Sequence, residues 1–103
     1  MLQMVFYVPD SHTDAVKEAL FAAGGGVVGS YQKCCWQVLG TGQFVPDVEA
    51  HPSEGSPGVL SRVAENRVEL LIQAQHKDAC VAALKLAHPY ECPVFYFLQV
   101  EVE

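Results

Sequence analysis

The sequence predicts an α+β fold: a four-stranded antiparallel sheet with two helices on one face, in the order β-α-β-β-α-β. Three observations lead there. Stretches rich in Val, Phe and Tyr, which suit a pleated surface, alternate with two stretches whose apolar residues recur at helical spacing. Glycine and proline clusters stand at the joints between them. The two halves of the chain also correspond. His12-Thr13-Asp14-Ala15 lines up with His76-Lys77-Asp78-Ala79 at an offset of 64, which also matches Ala19-Leu20 to Ala83-Leu84, Ala23 to Ala87 and Val8 to Ile72.

Each element has its own reasons. Leu2 to Val8 is a strand ended by Pro9, and Asp10 or Ser11 is placed to cap the helix that follows. From His12 to Ala23, Ala15, Val16, Ala19, Leu20 and Ala23 form one apolar face, and Gly24-Gly25-Gly26 stops the helix. Val27 to Val38 is the second strand region, with Gly29 as a bulge and Gly40-Thr41-Gly42 as a turn or kink. Phe44 to Gly58, with Pro46, Pro52 and Pro57, is a loop. Leu60 to Gln73 carries the third strand, and Gln75 to Ala87 the second helix, burying Ala79, Cys80, Ala83, Leu84 and Leu86. His88-Pro89 ends that helix, since a residue before proline is pushed out of the helical region. Val94 to Val102 is the last strand. Two strand–helix–strand halves close compactly as a ferredoxin-like sandwich, a single domain over residues 1–103.

Composition narrows the partners. Half of the 103 residues are hydrophobic and 17% are charged, enough apolar material for one core and too little for two. The net charge of −6 argues against nucleic acid or an anionic membrane, either of which needs a basic face. Apolar runs fall well short of the roughly 20 residues of a membrane helix. Met1 leads straight into a strand pattern with no basic start or cleavage site, so no secretory signal is expected. Four cysteines, two of them adjacent, are too few for a disulfide scaffold and read as reduced thiols of a cytoplasmic protein.

The densest polar cluster is His88-Pro89-Tyr90-Glu91-Cys92-Pro93. One reading is a rigid turn, with two prolines fixing the entry to the last strand. The other is a pocket in which His88, Tyr90 and Glu91 meet a ligand, or in which His88, Glu91 and Cys92, with Cys34 brought in from elsewhere, hold a divalent metal ion. Cys34 and Cys35, as strand neighbours, point to opposite faces and cannot both reach one ion without a bulge. Glu65, Arg67 and Glu69 share a strand face, either as an exposed ion-pair ladder or as a place where Arg67 meets an anion. Thr41, between two glycines, resembles a fragment of a phosphate cradle but lacks the Lys and helix of a P-loop. In the loop, Asp47, Glu49, Glu54 and His51 are placed to touch a cation. There is no serine elbow, no Cys–His dyad and no carboxylate pair in an apolar setting, so no enzymatic activity is expected.

Six short motifs in order carry a resemblance: Tyr7-Val8-Pro9, Ala22-Ala23-Gly24, Gly29-Ser30-Tyr31 with Cys34, Gly40-Thr41-Gly42-Gln43-Phe44 with Pro46, Glu65-Asn66-Arg67-Val68-Glu69, and Ala87-His88-Pro89-Tyr90-Glu91. Together they resemble the PII/CutA-like domain inserted in the Nif-three-like dinuclear-metal proteins, the GTP cyclohydrolase I type 2 homologues. The resemblance implies the PII/CutA-like fold and a tendency to form trimers. It also implies that the two-metal site lies in a flanking host domain whose ligands have no counterpart here. Where the family usually continues with a second Glu before proline, this chain departs from it with Cys92. The expectation is a non-enzymatic binding or regulatory module, a homotrimer holding a small molecule or ion between subunits, with or without a protein partner. The alternatives are a CutA-like divalent-metal binder and a purely structural assembly domain.

Overall fold

The computed structural model describes residues 1–103. Strand β1 (Leu2–Pro9) leads through a single 3-10 turn, Asp10–His12, into helix α1 (Thr13–Ala22). Strands β2 (Trp36–Phe44) and β3 (Ser61–Ile72) follow. A second 3-10 turn, Ala74–His76, then opens helix α2 (Lys77–Ala87), and β4 (Phe95–Gln99) completes the chain. The strands lie in the order β2-β3-β1-β4, every neighbouring pair antiparallel. The fold is the expected ferredoxin-like sandwich.

The internal correspondence is structural. Both 3-10 turns and both helices begin 64 residues apart, as the sequence offset requires. Val16 and Leu20 of α1 and their counterparts Cys80 and Leu84 of α2 are all fully buried. They meet Met4, Phe6 and Val8 of β1 and Val68, Leu70 and Ile72 of β3 in one core, with Phe95 and Phe97 packed against it. These strand positions alternate, so one face of the sheet takes both helices. Burying a side chain of this size contributes about 1.5–3 kcal/mol. Leu86 departs from the expected helix face and is 90% exposed. It lies two residues after Leu84, about 200° around the helix, while the sheet-facing stripe runs Cys80, Leu84, Ala87. Ala15 and Ala79 are likewise exposed, each one step before the stripe.

Three local expectations are corrected. Residues 27–35 are not strand: Gly29 and Lys33 take left-handed backbone angles (φ 56° and 57°), and Val28 and Tyr31 close a tight bridge. The strand runs later, through Gly40-Thr41-Gly42, which is therefore neither turn nor kink. No side chain caps the helices: Asp10 accepts from Asn66 Nδ2 at 2.9 Å, Thr13 Oγ1 donates to the Pro9 carbonyl at 3.1 Å, and Asn66 also donates to Thr13 Oγ1 at 2.8 Å. This network, buried at Thr13 and Asn66, ties the start of α1 to β3, and the Asx and hydroxyl oxygens serve it instead of the free helix amides.

The opposite face of the sheet carries no layer. Trp36, Val38, Glu65, Arg67, Glu69, Gln3, Tyr7, Tyr96 and Leu98 lie there, by register and alternation. Of β3, β1 pairs only with Glu65–Ile72, so Ser61–Ala64 and Thr41–Phe44 run past it as a two-stranded arm. The arm draws the molecule out to 46 × 24 × 23 Å.

Candidate functional site

The arm, the loop 45–60 and the turn after α2 meet in a cleft of about 280 Å³. His88 anchors the turn. Pro89 forces it out of the helix (φ −75°, ψ 135°), while its own N–H still closes on the Leu84 carbonyl at 2.8 Å. The residue is 5% exposed and both ring nitrogens are used. Nε2 lies 2.7 Å from the Tyr7 carbonyl, and Nδ1 accepts the Tyr90 N–H at 3.1 Å. A carbonyl only accepts, so the proton sits on Nε2 and the imidazole is neutral. Burial pushes its pKa below the ordinary value, outweighing the Tyr7 hydrogen bond and the attraction of Glu65, while His12 adds to the lowering.

Tyr90 continues the chain of contacts. Its hydroxyl donates to Glu65 Oε2 at 2.9 Å, and its ring meets Phe44 edge-on (6.2 Å between centroids) and His88 at a tilt (5.0 Å). Burial, then the Glu65 carboxylate, pushes the phenol far above its usual range, so it stays protonated as a donor. Glu65 reaches this position because Gly42 lacks a side chain: a Cβ there would occupy the space of the Glu65 carboxylate. Gly40, on the same face, would meet nothing within 4 Å. Glu91 latches the loop, its Oε1 accepting the His51 N–H at 3.0 Å. Pro46 is buried beneath, and its carbonyl takes the Gly58 N–H at 2.7 Å.

The structure brings some of the sequence candidates together and separates others. Tyr90, Glu91, Cys92 and Glu65 line the cleft, and His88 stands behind Tyr90 as its support. Arg67 does not line it: its Nε pairs with Glu69 Oε2 at 3.1 Å on the open sheet face, and Gln3 donates to the other Glu69 oxygen at 2.8 Å. Thr41 also lies outside, exposed and facing Ala64 across the arm. The four suggested metal ligands do not converge, and nowhere in the chain do three or more His, Cys, Asp or Glu side chains gather as a metal site. His88 has no free nitrogen, and Cys34 lies at the other end of the sheet. Its N–H bonds to Gly26, whose own N–H bonds to Leu71, which pairs with Gln3. Gln3 and Tyr7, the latter bonded to His88, are four strand residues apart, about 13 Å.

Sequence reasoning missed Phe44, Pro46, Pro52 and Val94, the apolar walls. Three prolines in a loop of this length were a signal that it folds against something. Of the loop acids, only Glu54 lines the cleft; Asp47, exposed, accepts the Glu49 N–H at 2.9 Å. Residues from three separate segments of one chain line the cleft.

No family model matches the chain. Curated relatives do. A GTP cyclohydrolase 1 type 2 homologue from Mycobacterium leprae is 50% identical over 91 residues, covering 88% of this chain and 24% of the relative. Its counterpart from Halalkalibacterium halodurans is 39% identical over 95 residues, covering 92% and 26%. Among solved structures, a Bacillus cereus protein related to NIF3 superposes with a TM-score of 0.82 at 36% identity, over 98% of this chain and 26% of that one. The CutA of Archaeoglobus fulgidus superposes at 0.68 with 11% identity, over 100% and 87%, a likeness of fold alone. The chain thus spans about a quarter of the length of the curated relatives it matches. Over nearly its whole length the chain is similar to one segment of the GTP cyclohydrolase 1 type 2 (NIF3-related) homologues, and it shares the fold of the CutA proteins.

Proposed function

We propose that this domain is a non-catalytic binding or regulatory module that assembles as a homotrimer in the cytoplasm and holds a small ligand in the cleft between the arm, the loop and the turn. The observation that carries the reading is the construction of the cleft: Tyr90 is aimed at Glu65 by His88, and the loop is latched to the turn by Glu91. Structural turns need neither a glycine kept open for a carboxylate nor a proline-rich loop closed over it. The non-catalytic role is supported by the state of the titratable groups. His88 has no nitrogen free to move a proton, and Tyr90 is held protonated.

The trimer is supported by the uncovered sheet face, where Trp36 (58% exposed), Val38 and Leu98 present apolar surface beside polar Tyr96 and Glu69. Edge strands β2 and β4 also leave unpaired amides that assembly would cover.

Light scattering on the native protein, with elemental analysis of the same peak, tests the reading. A metal-free trimer is expected. A monomer overturns the assembly, and stoichiometric metal lost in His88→Ala would replace the small-ligand reading with a metal site.

A further inference from the structure

The cleft has a chemical sign as well as a shape. Glu54, Glu65 and Glu91 line it, and no Lys, Arg or His does. Arg62, which faces Gln43 across the arm, is not among the lining residues. The chain's three ion pairs, Lys17–Asp14, Lys33–Glu18 and Arg67–Glu69, leave all three of these carboxylates uncompensated. Around them the walls are apolar and aromatic: Phe44, Pro46, Pro52, Val94 and the ring of Tyr90. Two of the carboxylates have one oxygen each committed, Glu65 to the Tyr90 hydroxyl and Glu91 to the His51 amide, and these bonds hold them in place. The negative field is felt locally, since Glu65 and Glu54 both help to raise the Tyr90 pKa.

An anion such as a nucleotide phosphate would meet three negative charges here with no donor cluster to offset them. A bare metal ion would find carboxylates that do not converge. A ligand with an apolar body and a positive head satisfies both sets of groups: the body displaces water from the proline and aromatic walls, and the head is attracted by the carboxylates and by the ring faces. We infer that the cleft binds a small organic cation, an amine or amidine carried on an apolar or aromatic body. Its volume is near the lower end of ligand sites, which suits a single-ring or short-chain amine. This inference rests on the reading of the cleft as a binding site and gives that site its ligand class.

Three probes of matched size test it on the full chain: benzylamine, benzyl alcohol and benzoate, each titrated while the backbone amide resonances are followed by NMR. Benzylamine is expected to shift the amides of His51, Tyr90 and Glu91, and the other two probes are not. Glu54→Gln and Glu91→Gln, both at exposed positions, should each weaken benzylamine by about fivefold. Ionic strength of about 1 M, where the screening length is near 3 Å, should weaken it further. If benzyl alcohol or benzoate shifts the same amides equally well, the cationic class is wrong while the binding cleft stands. If none of the three moves those amides, the cleft itself is not a binding site and both readings fall.

Discussion

Replacing His88 by Ala tests how the site is held. The ring bonds to two backbone groups, the Tyr7 carbonyl on β1 and the Tyr90 N–H in the turn, at 2.7 and 3.1 Å. Leaving a buried backbone group without a partner costs about 1–3 kcal/mol, so the two together are worth about 2–6 kcal/mol. The turn is half-exposed and water can reach Tyr90, which places the expected loss near the middle, about 3–4 kcal/mol. A domain of this size has about 5–15 kcal/mol of stability in all, so the variant should fold but be visibly weakened. Urea unfolding at pH 7.5 and fixed protein concentration measures it. With a slope of about 1.5–2 kcal/mol/M, the midpoint should fall by about 2 M.

The same substitution carries a pH signature. His88 is neutral in the fold and its pKa is lowered there, so the unfolded chain binds the proton more readily. Its contribution is therefore complete above the unfolded value near 6.5 and is lost as pH falls from there through the lowered folded value. The gap between the parent protein and His88→Ala should narrow between pH 7.5 and pH 5. A gap that stays constant or widens on acidification, or a midpoint shift below about 0.5 M at pH 7.5, would refute the assignment of His88 as a neutral two-bond anchor.

Further outcomes follow from individual contacts. Tyr90→Phe removes the hydroxyl that holds Glu65 and should cost only about 1 kcal/mol in urea unfolding, because the freed carboxylate can be hydrated, while weakening whatever the cleft binds. Gly42→Ala should displace Glu65 and lower the unfolding midpoint, whereas Gly40→Ala, with open space at its Cβ, should not; equal effects would count against the close approach. Leu84→Ala empties a fully buried core position and should cost about 2–5 kcal/mol by the same assay. A thiol reagent should modify exposed Cys35 and Cys92 first and Cys80 only on unfolding, since burial both shields that thiol and raises its pKa; mass spectrometry of timed samples reads the order.

The sequence by itself determined the architecture. Hydrophobic period, glycine and proline stops and a repeated half are local or nearly local signals, and they placed both helices and three of the four strands within a few residues. They also showed that Glu65, Arg67 and Glu69 share a face, because strand alternation needs no knowledge of partners. Where they failed, long-range contact decided. β2 runs through two glycines that propensity reads as a break, because β3 pairs with it and the Glu65 carboxylate occupies the space over Gly42. Asp10 looks like a helix cap until Asn66, distant in sequence, claims its oxygen.

The site divides the same way. The turn from His88 to Cys92 stood out as a dense polar cluster, yet the part each residue plays depends on groups far along the chain. Tyr7, 81 residues away, uses up one nitrogen of His88, and Glu65, 25 residues away, takes the hydroxyl of Tyr90. Cys34 is held at the far end of the sheet. A histidine beside a carboxylate and a thiol is a metal ligand or a structural anchor according to whether its lone pair is free. Only the folded chain, by bringing the Tyr90 N–H to Nδ1, decided that here.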